Sequence, residues 1–280
     1  MNQISPTGTH GDLTDPVIAL VNYTKGGGPK PAIYLYETPE PQPSIEERNE
    51  PHRIPIHNAR PQLDELSLDV HGFAVMHGHT AVRNFDDPEE LKTIYDAEVA
   101  ALVKAATGAQ HALVFDHTIR RIGGTDKSSS TRAPVHVAHN DYTKKSGPQR
   151  VRDLLPADQA EQALQRRFAI VNAWRSINGP VLDTPLAFAD ARSVPDADWI
   201  ATDLKYPDRT GEVYRIAYNP AHRWLYVPHL QPDEIILLKT FDSAEDGRAR
   251  YAPHTAFDDP ATKPGTARRQ SIESRVLAFF

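Results

Sequence analysis

Proline is the feature that most limits what this chain can fold into. Twenty-four prolines outnumber 15 glycines and recur along the whole sequence. Each removes a backbone donor and fixes φ, so long helices are disfavoured and short strands joined by loops are expected. One segment escapes. Asp87 can cap a first turn, Pro88 suits the first helical position, and Glu90 stands where a capping-box acid belongs. Leu91, Ile94, Tyr95, Val99, Leu102, Val103 and Ala106 then recur at helical spacing, and Gly108 ends the run. A second helix is expected over 148–155 or 156–167, with a break at Pro156.

After Gly108 the pattern changes to strands. Short runs rich in Val, Ile, Phe and Tyr occupy 111–116, 135–143, 168–174, 186–190, 213–218, 224–227, 235–240 and 271–280. About eight strands behind a helical preface predict a mainly β fold with flanking helices, a sandwich or jelly roll. Parallel βαβ alternation is not expected, because too few helices separate the strands. A chain of 280 residues is read as one domain over 1–280, with its core at 110–280. Residues 1–60, with Gly26–Gly28 and a proline-rich stretch from Pro39 to Pro55, are expected to be an N-terminal extension packed on that core. Short strands are expected within it at 17–23 and 32–36.

Composition excludes several functions. The formal charge is −6 with a pI near 6.1, and the basic clusters are only pairs such as Arg120–Arg121 and Arg268–Arg269. A phosphate backbone needs a concentrated basic face, so no nucleic-acid partner is expected. Cysteine is absent, which removes disulfides, thiolate metal sites and cysteine nucleophiles. No apolar stretch approaches the ~18 residues of a membrane helix, and residues 1–15 lack the regions of a signal peptide. A soluble, cytoplasmic protein with no membrane partner is the expectation. Thirteen histidines direct attention to metal chemistry.

The segment His136-Val137-Ala138-His139-Asn140-Asp141-Tyr142 is the first place to look. In a strand, 139 and 141 point to one face, so an imidazole and a carboxylate can share a metal. A further imidazole would complete the two-His-one-carboxylate set that leaves open positions and suits non-haem Fe(II) oxygenases. Alone, H-x-D is weak, and a polar strand end is the bland alternative. His136 has the opposite parity and is expected to be structural. Near the end come Pro253-His254-Thr255-Ala256-Phe257 and then Arg269-Gln270-Ser271-Ile272-Glu273-Ser274-Arg275. If the latter is a strand, Arg269, Ser271, Glu273 and Arg275 share a face. An inward Arg–Ser pair would grip a dicarboxylate through a charge-assisted fork and a hydroxyl.

Further blocks accompany these motifs. They are His71-Gly72-Phe73, Val114-Phe115-Asp116-His117-Thr118-Ile119-Arg120, Asn172-Ala173-Trp174-Arg175, Pro185-Leu186-Ala187 and Pro232-Asp233-Glu234. Together, from about residue 70 to the C-terminus, the chain resembles the Fe(II)/2-oxoglutarate-dependent oxygenase superfamily with its double-stranded β-helix, a cupin-like jelly roll. More narrowly it resembles the family of fungal gibberellin desaturase-like and AsaB-type hydroxylase/desaturases, which also takes in a bacterial cephamycin 7α-methoxylation component.

The resemblance implies that His139, Asp141 and His254 bind Fe(II), and that Arg269 and Ser271 hold the far carboxylate of 2-oxoglutarate. Fourteen residues separate His254 from Arg269, more than is usual in plant-type R-x-S enzymes, so Arg275 competes for that role. His222 and His229 are the alternative third ligands. His117, Arg120 and Arg175 are candidate substrate contacts, each with a structural alternative. The implied reaction consumes 2-oxoglutarate and O2 and passes through a ferryl oxidant. It would hydroxylate, desaturate or cyclise a small specialised metabolite, with a homodimer as the expected assembly. Two rivals stand against it: a zinc hydrolase on the same ligands, and a non-catalytic jelly-roll binding protein. Pocket specificity is expected from residues 20–80 and a loop around 190–210.

Overall fold

Strands carry the fold, and they assemble into two sheets. The computed structural model describes residues 16–121 and 131–280. In chain order the strands are β1 (Val17–Thr24), β2 (Ala32–Tyr34), β3 (Asn49–Asn58), β4 (Phe73–His77), β5 (His111–Arg121), β6 (Thr131–Arg132), β7 (His139–Asn140) and β8 (Phe168–Ser176). They continue as β9 (Leu186–Ala189), β10 (Trp199–Lys205), β11 (Thr210–Ile216), β12 (Trp224–Tyr226), β13 (Glu234–Asp242), β14 (His254–Ala256) and β15 (Gln270–Phe279). The larger sheet runs β1-β3-β12-β9-β14-β7-β11-β10-β2, and the smaller β4-β13-β8-β15-β5-β6. Most neighbours are antiparallel. β1 also bridges from Asn22 to Val137, curling the large sheet back toward β7.

Alternation of side chains decides what each face meets. From the smaller sheet Phe73, Trp174, Ile236 and Leu238 point inward, against Leu186, Phe188 and Leu225 of the larger one. Their neighbours Ala173, Leu237 and Ile272 point outward and are covered by Tyr95, Val99 and Val103. Each such Val, Leu or Ile removed from water contributes about 1.5–3 kcal/mol. The helices Ser146–Leu154 and Ala157–Leu164 close one end, setting Val151 and Ala160 on Phe168, Ile170, Phe241 and Leu277. On the far side of the large sheet, β1 and β3 lay Val21, Tyr23, Ile54 and Ile56 over Ala187, Ala189, Ile216 and Trp224.

The expected helix is present, with one altered detail. Asp87 accepts from the Glu89 N–H, and Gly108 ends the helix Asp96–Thr107 at φ 74°. Glu90 does not close a capping box. Its carboxylate takes the N–H groups of Arg83 and Asn84, because the Asp87 N–H is already bound to the Asn84 carbonyl. Leu91–Tyr95 forms a wider π turn. Both candidates for the second helix form, divided at Pro156. The strand expected over 135–143 shortens to His139–Asn140, and the stretch expected as a loop at 190–210 contains β10. Pro51 and Pro55 lie inside β3, which an interior strand seldom tolerates. They are accommodated because β12 pairs only with Ile56–Asn58, leaving both prolines where β3 pairs with β1 alone.

Candidate active site

Two strands and one chain bend bring His139, Asp141 and His254 together. His139 on β7 lies directly opposite His254 on β14, so both imidazoles project from the same face of the large sheet. Asp141 follows two residues after His139, just past the strand end. One donor atom from each residue lies within 4.8 Å of the others. Both imidazoles are fixed in the same tautomer. Nδ1 of His139 donates to the Val137 carbonyl (2.8 Å) and Nδ1 of His254 to the Ala252 carbonyl (2.9 Å). Nε2 therefore carries the free lone pair on each ring, the state a metal ligand needs. Burial and the neighbouring His139 lower the pKa of His254, which keeps it neutral.

Asn140 staples this arrangement. Its amide donates to the carbonyls of Tyr142 and Thr240, and its oxygen accepts the Ala252 N–H. The carbonyl that orients His254 thus belongs to a residue held by the neighbour of His139.

Asp141 is oriented by a second set of buried groups. Its Oδ2 accepts from Arg275 Nε (2.9 Å) and Asn172 Nδ2 (2.8 Å), leaving Oδ1 facing His139 Nε2 at 3.5 Å. Burial opposes ionisation of Asp141, but Arg275 and the two imidazoles hold its pKa well below the usual carboxylate range. Arg275 also donates to Asp116, Thr118 and Glu273. Glu273 in turn accepts from Asn172 at 3.0 Å. The Arg275 guanidinium is therefore fully engaged by protein acceptors.

Arg269 and Ser271 present the opposite situation. A cavity running from the triad is lined by His139, His254, Trp174, Arg120, Glu273 and Arg269. Arg269 is 2% exposed and donates from Nη1 to the Thr184 carbonyl, with its guanidinium 5.3 Å above the Trp174 ring. Among the described residues its buried Nε has no partner, and neither does the fully buried Ser271 hydroxyl. Burial and then Arg120 push the Arg269 pKa down to about 10, the mark of a cation lacking its anion. Thr184 holds its carbonyl on Arg269 with φ at 48°, a conformation β-branched residues avoid. Such a donor pair fits a carboxylate, which would satisfy both orphaned groups.

Strand parity separates the other candidates. Across β5, β15 and β8, Arg120, Ser271 and Ser176 align in register, as do Ile119, Ile272 and Arg175. Arg120 consequently faces the cavity, where it bonds the Ala133 carbonyl and approaches Glu273 at 3.5 Å. Arg175 and His117 lie on the outward face beneath the helix. Arg175 donates to the Pro232 and Gly78 carbonyls, and His117 bridges Asp96 and Ser274, so neither reaches the cavity. The rival ligands are also elsewhere: His222 sits between Asp198 and Tyr23, His229 occupies a turn at φ 50°, and His136 meets Asp258. The segment between His254 and Arg269 contains β14 and then an exposed excursion, which absorbs its length.

Sequence reasoning missed the roles of Asn172, Glu273, Asn140 and Thr184. A signal existed for the first. Asn172 interrupts the apolar run Ala169-Ile170-Val171 in a strand buried at every position, where an amide needs a specific partner. Nothing in the sequence marks Thr184.

Comparison with known proteins agrees with this geometry. A family model described as "Oxidoreductase/YMDC permease-like domain" matches residues 21–279. Among the described residues no helix is long and apolar enough to cross a membrane. The hydroxylase/desaturase efuI of Hormonema carpetanum is 34% identical over 250 residues, covering 81% of this chain and 83% of that protein. The Fe(II)/2-oxoglutarate-dependent dioxygenase nvfI of Aspergillus novofumigatus is 31% identical over 260 residues, covering 90% and 92%. A solved structure of the iron and alpha-ketoglutarate-dependent endoperoxidase NvfI superposes with a TM-score of 0.83 at 26% identity, over 95% of this chain and 98% of that one. Those oxygenases have the jelly-roll fold, and the two curled sheets described above correspond to it. The chain belongs to the family of Fe(II)/2-oxoglutarate-dependent dioxygenases that includes these hydroxylase/desaturases.

Proposed function

We propose that His139, Asp141 and His254 hold the Fe(II), that Arg269 and Ser271 hold the far carboxylate of 2-oxoglutarate, and that the enzyme oxidises a C–H bond of a small organic molecule. The observation that carries this is the pair of donors orphaned among the described residues, Arg269 Nε and Ser271 Oγ, with Arg269 lining the same cavity as His139 and His254. Iron with 2-oxoglutarate and O2 supplies the oxidising power, and hydroxylation, desaturation or ring closure is decided at the substrate.

The chain's own residues do the positioning. The two backbone carbonyls keep the Nε2 atoms unprotonated, and Arg275 with Asn172 turns one Asp141 oxygen away from the ligand position. Trp174 and Leu186 form an apolar part of the cavity wall beside Arg269, which locally strengthens the Arg269–carboxylate attraction. The hydrolytic alternative would need a free general base beside the metal. Glu273 and Asp116, the carboxylates beside the triad, are both tied to Arg275.

An anaerobic absorption titration tests the assignment. Adding Fe(II) and then 2-oxoglutarate to the purified protein is expected to give a weak visible charge-transfer band that needs both. Asp141→Ala should remove the band, and Arg269→Ala should weaken 2-oxoglutarate binding. Absence of the band in well-folded wild-type protein would sink the proposal.

A further inference from the structure

We infer that the substrate carries a carboxylate, and that Arg215, with Thr24 and Asn49, receives it on the flank of the triad opposite the cosubstrate cavity; this rests on the metal-site assignment above. Register places Arg215. It lies directly opposite His139 in the β7–β11 pair, so the two side chains share a face with Cβ atoms about 4.5–5.5 Å apart. A row across the large sheet thus reads Arg215, His139, His254, Phe188. The cosubstrate cavity is lined from the His254 side, by His254, Trp174 and Arg269. Arg215 occupies the other flank of His139.

Among the described residues no carboxylate is in hydrogen-bond contact with it. Arg215 is 7% exposed, and its hydrogen bond is to a neutral acceptor, from Nη1 to Asn49 Oδ1 at 3.1 Å. Burial lowers its pKa, and the opposing influence is Glu46 at longer range. The Glu46 carboxylate is turned to the Ser44 hydroxyl. A charge taken out of water without a paired counter-charge costs several kcal/mol, so such a site is built for something that arrives later.

A second observation points to the same spot. Asn49 lies directly opposite Thr24 in the β1–β3 pair. Tyr23 and Val21 face the apolar core on the far side of the large sheet, so Thr24 takes the other face by alternation. Thr24 is fully buried and its hydroxyl has no partner among the described residues. A buried guanidinium beside an orphaned hydroxyl repeats the Arg269–Ser271 combination on the opposite flank. Neither Arg215 nor Thr24 carried any sequence signal, because they come from strands 190 residues apart in a chain whose curl brings them together. The chemistry recognised is the same, a carboxylate gripped by a fork and a hydroxyl.

The test uses the full chain loaded with Mn(II), which replaces Fe(II) without turnover, and saturated with 2-oxoglutarate so that Arg269 is occupied. Benzoate is the probe and methyl benzoate the neutral control. Paramagnetic relaxation of the ring protons reports binding near the metal. In wild type, benzoate is expected to relax saturably and the ester not at all. Arg215→Gln should weaken benzoate by at least about tenfold and Thr24→Val by about threefold, with Mn(II) and 2-oxoglutarate affinities unchanged. Arg215→Lys keeps the charge but loses the fork, and should bind benzoate more weakly than wild type and more tightly than Arg215→Gln; it serves if the Gln variant does not fold. Equal benzoate binding in Arg215→Gln, binding of the ester, or no relaxation of benzoate in wild type would each overturn the inference alone. Failure of wild type to bind Mn(II) or 2-oxoglutarate would instead bring down the metal-site assignment.

Discussion

Arg269 immediately precedes β15 and Arg275 stands in its middle, six residues on and on the same face, the first buried and the second largely so. Arg275 meets Asp141, Asp116, Glu273 and Thr118, and its pKa is held well above the ordinary arginine value as Asp141 and Glu273 outweigh burial. Arg269 meets one carbonyl and an aromatic face, and is left with an orphaned Nε. The same side chain is therefore structural cement in one place and a waiting receptor in the other. Buried charge by itself does not mark a binding site; buried charge without its counter-charge does.

The comparison can be broken most forcefully at Arg275. Arg275→Met leaves Asp141 and Glu273 as adjacent buried carboxylates, and should cost the metal-free protein about 3–5 kcal/mol in urea denaturation. Arg269→Met should behave inversely. Stability without cosubstrate is expected to be unchanged or raised, while calorimetry should show 2-oxoglutarate binding weakened by about 2–5 kcal/mol. If Arg269→Met proved the more destabilising of the two, the contrast would collapse.

Asn172 joins Asp141 to Glu273, and Asn172→Ala is expected to lower Mn(II) affinity about 10–100-fold, measured by chelator competition. A loss of stability with unchanged metal affinity would show that the amide only fills space. Ser271→Ala should weaken 2-oxoglutarate by about 1 kcal/mol and leave the melting temperature in its absence unaltered, since no group among the described residues bonds the hydroxyl.

The smallest effect is a pH control away from both arginines. Burial lowers the His222 pKa, against the pull of Asp198. A neutral His222 thus contributes stability that is complete above the unfolded imidazole range and lost as pH falls from about 6.5 through the folded value. His222→Gln should flatten that acid limb by no more than about 1 kcal/mol, read from denaturation midpoints between pH 7.5 and 5.5.

Sequence determined a good deal here. Proline frequency and short β-rich runs gave a mainly β fold, because φ restriction and lost donors act locally. The Asp87 cap and the Gly108 stop were legible for the same reason, and H-x-D and R-x-S could be read because strand parity is a local rule. What stayed hidden depends on which strands become neighbours. Parity alone left Arg269 and Arg275 equivalent, and only the approach of Asp141 from one segment and of Asp116 with Thr118 from another, beside Glu273 of its own strand, saturates one of them. Arg175 and His117 sit in motifs as conspicuous as Arg120, yet pairing of β5 and β8 with β15 turns them to the outer face. Chain connectivity sets the rules of each strand, but the balance of charge in an interior is a sum over elements distant in sequence, and the tertiary structure alone performs that sum.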